Sequence, residues 1–130
     1  MSPCLLTDYN TNASLRIMDL GLFDYELGFN IKLGMTKAER LSVGESAMTH
    51  AMVLTAVQVE NDGSISRWRV ENSWSEAAGE KGYFVMTDAW FDQFVYQVVT
   101  SGDFVSKQIS DVLKTPAKVL SHWDPLGALA

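Results

Sequence analysis

The sequence predicts an α+β domain built around a short antiparallel sheet, on three observations. Residues 51–59 and 65–72 are two β-type runs joined by Asn61-Asp62-Gly63-Ser64, and Asp-Gly tolerates the positive φ of a hairpin turn. Two further short runs, 82–86 and 94–100, have strand composition. Helical signals flank these runs: a Thr36–Glu39 capping pattern before them and an apolar stripe over 104–114 after them.

In chain order, residues 1–13 are polar and turn-rich (Thr7, Asp8, Asn10, Thr11, Asn12) and read as a loop. Leu20, Phe23 and Leu27, with Leu15 before them, recur at helical spacing and predict a short helix within 14–29, broken near Gly28. Thr36 with Glu39 three residues on starts a second helix, which ends by about Val43 because Gly44 follows. The run 51–59 is apolar at nearly every position and rich in β-branched residues, which predicts a strand buried on both faces. The run 65–72 alternates, so that Ser66, Trp68, Val70 and Asn72 share one face while Ile65, Arg67, Arg69 and Glu71 share the other.

A loop follows at 75–81, then a third strand at 82–86. Thr87 or Asp88 can cap a helical turn through 89–92. The fourth strand, 94–100, is broken by Ser101-Gly102-Asp103. The longest predicted helix spans 104–114, with Phe104, Val105, Ile109, Val112 and Leu113 on one stripe, Asp103 capping its start and Pro116 closing its end. The tail carries Val119, Leu120, Trp123, Leu126 and Leu129, and apolar content of that kind has to dock on something.

Composition narrows the class. The 130 residues are 47% hydrophobic and 20% charged, enough apolar material for a core in one domain or a piece of one. A formal net charge of −6 argues against nucleic acid and against an anionic membrane surface as partners. The single cysteine, Cys4, excludes an internal disulfide and fits a reducing compartment. The start of the chain lacks the pattern of a signal peptide, and no apolar run approaches the roughly 20 residues of a membrane helix. A cytoplasmic location is the expectation.

The chemistry concentrates in two stretches. A thiol nucleophile needs an imidazole to take its proton and later protonate the leaving amine, and the imidazole needs its second nitrogen held. His50, the amide of Asn72 and the indole of Trp74 supply a base, an orienting oxygen and a hydrophobic cover, on the two strands of one hairpin. A tight turn centred on Asp62-Gly63 would pair Val53 with Asn72 and leave His50 on the opposite face. The constellation therefore requires a bulge, another register, or His50 standing before regular pairing begins. By residue type alone, a His beside an apolar strand is more often a satisfied half-buried residue than a catalytic one, and Asn72-Ser73 also reads as a strand terminator and Trp74 as core. No group of residues suggests a cofactor or a metal site.

The blocks Thr49-His50-Ala51-Met52, Trp68-Arg69-Val70-Glu71-Asn72-Ser73-Trp74 and Gly79-Glu80-Lys81-Gly82-Tyr83 resemble the His/Asn half of papain-like cysteine peptidases. Three further blocks narrow the resemblance to the bleomycin hydrolase, or aminopeptidase C, group. These are Met35-Thr36-Lys37-Ala38-Glu39-Arg40-Leu41, Met86-Thr87-Asp88-Ala89-Trp90-Phe91 and Trp123-Asp124-Pro125-Leu126-Gly127-Ala128-Leu129-Ala130. The resemblance implies the incomplete C-terminal sheet subdomain, a half-barrel with flanking helices, of that peptidase fold. Residues 1–130 would form one partial domain: a loop and helical lead-in over 1–49, the sheet carrying His and Asn over 50–100, and a helix and C-terminal arm over 101–130.

It further implies His50 as general base and acid, Asn72 as its orienting amide, and Trp74 as support. Gly127, Ala128, Leu129 and Ala130 would form an arm lying in the cleft, whose terminal carboxylate limits cleavage to substrate N-termini. The implied activity is hydrolysis of N-terminal peptide and amide bonds. The implied partners are peptide substrates and a homo-oligomeric assembly, hexameric in the family.

Two departures stand out. The family's glycine after Asn-Ser-Trp is replaced by Ser75, which is strained by roughly 1 kcal/mol if that position needs positive φ. The family's Gln…Cys-Gly-x-Cys-Trp block is absent. Cys4 stands in Ser-Pro-Cys-Leu-Leu, and Gln58, Gln93, Gln97 and Gln108 lack the context of an oxyanion-hole glutamine. The expectation is a partner part carrying the nucleophile and an inactive isolated chain. The competing expectation is a non-catalytic remnant that binds peptides or peptidase subunits.

Overall fold

The computed structural model describes residues 16–124. Four strands form one sheet in the order β1-β4-β3-β2. β2 (Val53–Val59), β3 (Ile65–Glu71) and β4 (Tyr83–Thr87) pair antiparallel, and β1 (Ile17–Met18) joins β4 in parallel. The expected α+β class and the hairpin therefore stand. The hairpin loop closes with Glu60 N–H donating to the Ser64 carbonyl at 2.8 Å, and Gly63 takes φ +85°.

β1 lies where a helix was expected. Only Tyr25–Phe29 (α1) is helical there, started by the Asp24 carboxylate accepting from Leu27 N–H and ended by Asn30 in the left-handed region. A two-residue strand leaves no local pattern, because it exists through its pairing of Ile17 with Val85 and Met18 with Met86. The second helix, Lys37–Ser42 (α2), carries the full capping box: Thr36 Oγ1 accepts from Glu39 N–H and the Glu39 carboxylate accepts from Thr36 N–H.

α3 (Asp88–Phe94), capped by Thr87, packs on the sheet through Trp90. The core of the described residues is Met18, Val70, Phe84, Met86 and Trp90, with Met52, Trp68 and Phe91 against it. Trp68 stacks on Phe91 at 4.7 Å and donates its indole N–H to the Asp88 carboxylate at 2.9 Å, tying β3 to the start of α3. α2 closes the other end of α3. Lys37 Nζ donates to the Asp92 and Val95 carbonyls, and Arg40 Nη2 donates to the Gln93 carbonyl and to Gln93 Oε1, both at 3.1 Å. Cations there satisfy carbonyls that the last helical turn leaves free and complement its dipole.

Three expectations are corrected. The strand 51–59 is not buried on both faces: β2 is the sheet edge, and every residue in it is exposed. Its apolar residues have no covering layer among the described residues. The segment 94–100 is not a strand. Phe94 ends α3, and 95–100 joins no strand of the described sheet. The helix 104–114 is broken into a 3-10 turn (Gly102–Phe104), a four-residue helix α4 (Lys107–Ser110) and another 3-10 turn (Asp111–Lys114). Asp103 does not cap it. Instead Ser101 accepts from Asp103 N–H. Its stripe is rich in β-branched residues and packs on nothing described, with Leu113 89% exposed, so the packing that normally sustains a helix is missing.

Candidate functional site

The hairpin brings His50, Asn72 and Trp74 together. His50 Nε2–H donates to Asn72 Oδ1 at 2.9 Å. In the neutral ring this places the proton on Nε2 and the lone pair on Nδ1. Trp74 lies against the imidazole, with ring centroids 5.3 Å apart and planes inclined at 34°. Asn72 is half-buried while His50 and Trp74 are exposed, so the indole flanks the pair from one side.

A bulge resolves the register problem. Val57 faces Trp68 and Ala56 faces Arg69, a phase that, if continued, would pair Val53 with Asn72. The ladder instead steps at Thr55, an extra residue between the Ala56–Arg69 and Leu54–Val70 pairs, whose hydroxyl donates to the Arg69 carbonyl at 3.1 Å. Val53 then faces Glu71, and the alternation puts Leu54, Met52 and His50 on the face of Val70 and Asn72. A second irregularity at Ser66, between Gln58–Arg67 and Val59–Ile65, offsets the first on the opposite strand.

The loop after Trp74 fixes the other half of the pair. Asn72 N–H donates to the Gly82 carbonyl at 3.0 Å, and Gly82 N–H donates to the Ala78 carbonyl at 2.9 Å. Ser75 takes φ +70°, so the position after Asn-Ser-Trp meets the condition on which strain at Ser75 depends. Gly79 takes φ +64°, and a Cβ there would stand 2.4 Å from the Tyr83 carbonyl oxygen and 2.7 Å from the Phe84 ring. Below His50, segments 47–54 and 95–100 flank an open groove of about 780 Å³ floored by Val70, Met86 and Trp90.

No thiol stands beside His50 among the described residues. Cys4, Gly127, Ala128, Leu129 and Ala130 lie outside them. Gln93 Nε2 donates to the Asp92 carboxylate and Gln58 Nε2 donates to Glu60, so the donor group of each amide is engaged elsewhere in this arrangement. Among the described residues no three acidic, His or Cys side chains gather as a metal site, and no helix is long and apolar enough to cross a membrane. Residue types alone missed Thr55 and Phe84. The buried alternation of β4 is the signal that could have pointed to Phe84.

A family model described as the Peptidase C1-like family matches residues 8–127. The chain is 49% identical over 122 residues to bleomycin hydrolase of Homo sapiens, covering 92% of this chain and 27% of that protein. It is 42% identical over 120 residues to aminopeptidase C of Lactococcus lactis subsp. cremoris, covering 92% and 28% respectively. The crystal structure of PepW from Lactobacillus rhamnosis HN001 superposes with a TM-score of 0.78 at 54% identity, over 89% of this chain and 26% of that one. The chain thus spans about a quarter of the length of the relatives it matches.

Proposed function

This chain belongs to the Peptidase C1-like family, and from that premise we propose that it is the C-terminal, His- and Asn-bearing part of a cytosolic cysteine aminopeptidase of the bleomycin hydrolase kind. One observation carries the reading: the 2.9 Å contact from His50 Nε2 to Asn72 Oδ1, which leaves Nδ1 as the nitrogen available to a thiol. The exposed apolar edge of β2, with Val53 61% and Val59 57% exposed, supports it as a surface the rest of the enzyme covers. The exposed apolar stretch 104–123 is assigned to contacts with that remainder and with further subunits.

His50 Nδ1 takes the proton of a cysteine thiol supplied by the remainder, giving a thiolate and an imidazolium. The thiolate adds to the scissile carbonyl carbon. As the tetrahedral intermediate collapses, Nδ1–H gives its proton to the leaving nitrogen and a thioester remains. Nδ1 then takes a proton from water as the water attacks the thioester, and returns it to the thiol sulfur on release. Asn72 holds Nε2–H throughout, so the ring keeps its aim while its charge alternates. Gly127 to Ala130 are assigned, on the family resemblance, to the arm that restricts cleavage to substrate N-termini.

The test is complementation. The purified chain is mixed with the cysteine-bearing N-terminal part of a bleomycin hydrolase, and hydrolysis of an aminoacyl amide is followed. Hydrolysis that requires both parts is expected. A folded, monodisperse chain that binds the other part and yields no hydrolysis would favour the non-catalytic remnant.

A further inference from the structure

We propose that Phe84 is a positioning residue for His50, acting through Trp74, and that Gly79 provides the clearance that lets it do so. The inference rests on the role assigned to His50 above and adds to it what holds the ring on the side away from Asn72. Asn72 fixes one atom of the imidazole, Nε2, and a single hydrogen bond leaves the ring free to pivot about that contact. Trp74 is the second restraint, and at 43% exposed it is not held by burial.

What holds Trp74 is Phe84. The two rings meet edge to face, at 6.0 Å and 89°. That geometry sets the positive edge of one ring against the negative face of the other. Phe84 itself is 4% exposed, belongs to the core and lies in a strand paired to β3 through Val70. A rigid ring thus orients an exposed one, which orients the imidazole.

Gly79 explains why Phe84 can stand there. Its missing Cβ leaves the space that the Phe84 ring and the Tyr83 carbonyl fill. The same loop holds Asn72 through the Gly82 carbonyl. One loop therefore sets both restraints on His50, the amide directly and the indole through Phe84.

The experiment reads the His50 tautomer by ¹⁵N NMR of the full chain, with His122 assigned by substitution. The wild-type ring is expected to be mainly Nε2–H. Phe84→Leu should lower the Nε2–H to Nδ1–H ratio by roughly two- to tenfold, the range of one aromatic contact. Trp74→Leu should lower it similarly, and Phe84→Leu added to Trp74→Leu should lower it no further, because the effect passes through Trp74. Met18→Ala, which weakens the same core from β1, should leave the ratio unchanged.

A ratio unaltered by Phe84→Leu, or one that Met18→Ala shifts equally, overturns the positioning role. Should Phe84→Leu fail to fold, Trp74→Leu decides alone, since an unaltered ratio there removes the intermediary. Asn72→Ala separates this inference from the functional reading. If it leaves the tautomer ratio unchanged, the His50–Asn72 assignment fails. If it shifts the ratio while Phe84→Leu does not, only the positioning role fails.

Discussion

Replacing Ser75 with glycine should stabilise the chain. Ser75 sits at φ +70°, where a side chain's Cβ crowds the following carbonyl at a cost of about 1–2 kcal/mol. Glycine removes that cost but is more disordered in the unfolded chain by about 0.5–1 kcal/mol. The substitution also gives up a long contact, the Ser75 hydroxyl accepting from Ala77 N–H at 3.4 Å. The Ser75 carbonyl contact to Ala78 N–H at 3.3 Å is backbone and survives. The balance favours glycine by about 0.5–1 kcal/mol, which for a chain of this size raises the thermal midpoint by about 2–4 °C. Ser75→Val should go the other way by more than about 1 kcal/mol, since a β-branched residue tolerates the left-handed region worst. Thermal melts followed by circular dichroism read both. A Ser75→Gly melt at or below wild type would refute the strain, and with it the conformation of the loop that begins beside Trp74.

Gly79→Ala should destabilise the chain by about 2–4 kcal/mol, combining left-handed strain with overpacking against Phe84 and the Tyr83 carbonyl. Urea denaturation measures it, and a loss within error of zero would mean the loop does not pass where described. Glu39 should make the stability of α2 depend on pH. The Thr36 backbone amide, and then its hydroxyl, hold the Glu39 carboxyl below the ordinary 4.5. A folded-state value below the unfolded one means the carboxylate contributes stability above pH 4.5, and the contribution is lost as pH falls through the folded value. Glu39→Gln should therefore be less stable than wild type at neutral pH and should converge with it in acid, as paired melts across that range would show.

The local devices of this chain were legible in its sequence. Thr36 with Glu39, Thr87 before α3 and Gly63 in the hairpin each act within a few residues, where residue type decides geometry. The two faces of β3 were legible for the same reason, because period-two alternation is set by the backbone. The association of His50, Asn72 and Trp74 was legible as chemistry. Its geometry was legible only as the need for a bulge, another register or an early His50; the place of the step, Thr55, was not, because it reflects an offset between two strands rather than any local pattern.

What failed depended on more than local residue type. β1 exists through β4. The apolar residues of β2, 95–100 and 104–114 signalled burial, but residue type does not say what does the burying. Where the described residues supply no covering layer, a strand-like segment finds no ladder partner among them and an apolar stripe does not sustain a helix.

The most direct test of the central claim is the rate of aminoacyl-amide hydrolysis by the reassembled enzyme carrying His50→Ala. The account predicts a fall in kcat of about 10²- to 10⁴-fold, the usual worth of a positioned general base. Asn72→Ala should lie between that variant and wild type. Hydrolysis at the wild-type rate by His50→Ala would contradict the account, because proton transfer would then not pass through the one imidazole the hairpin holds against Asn72.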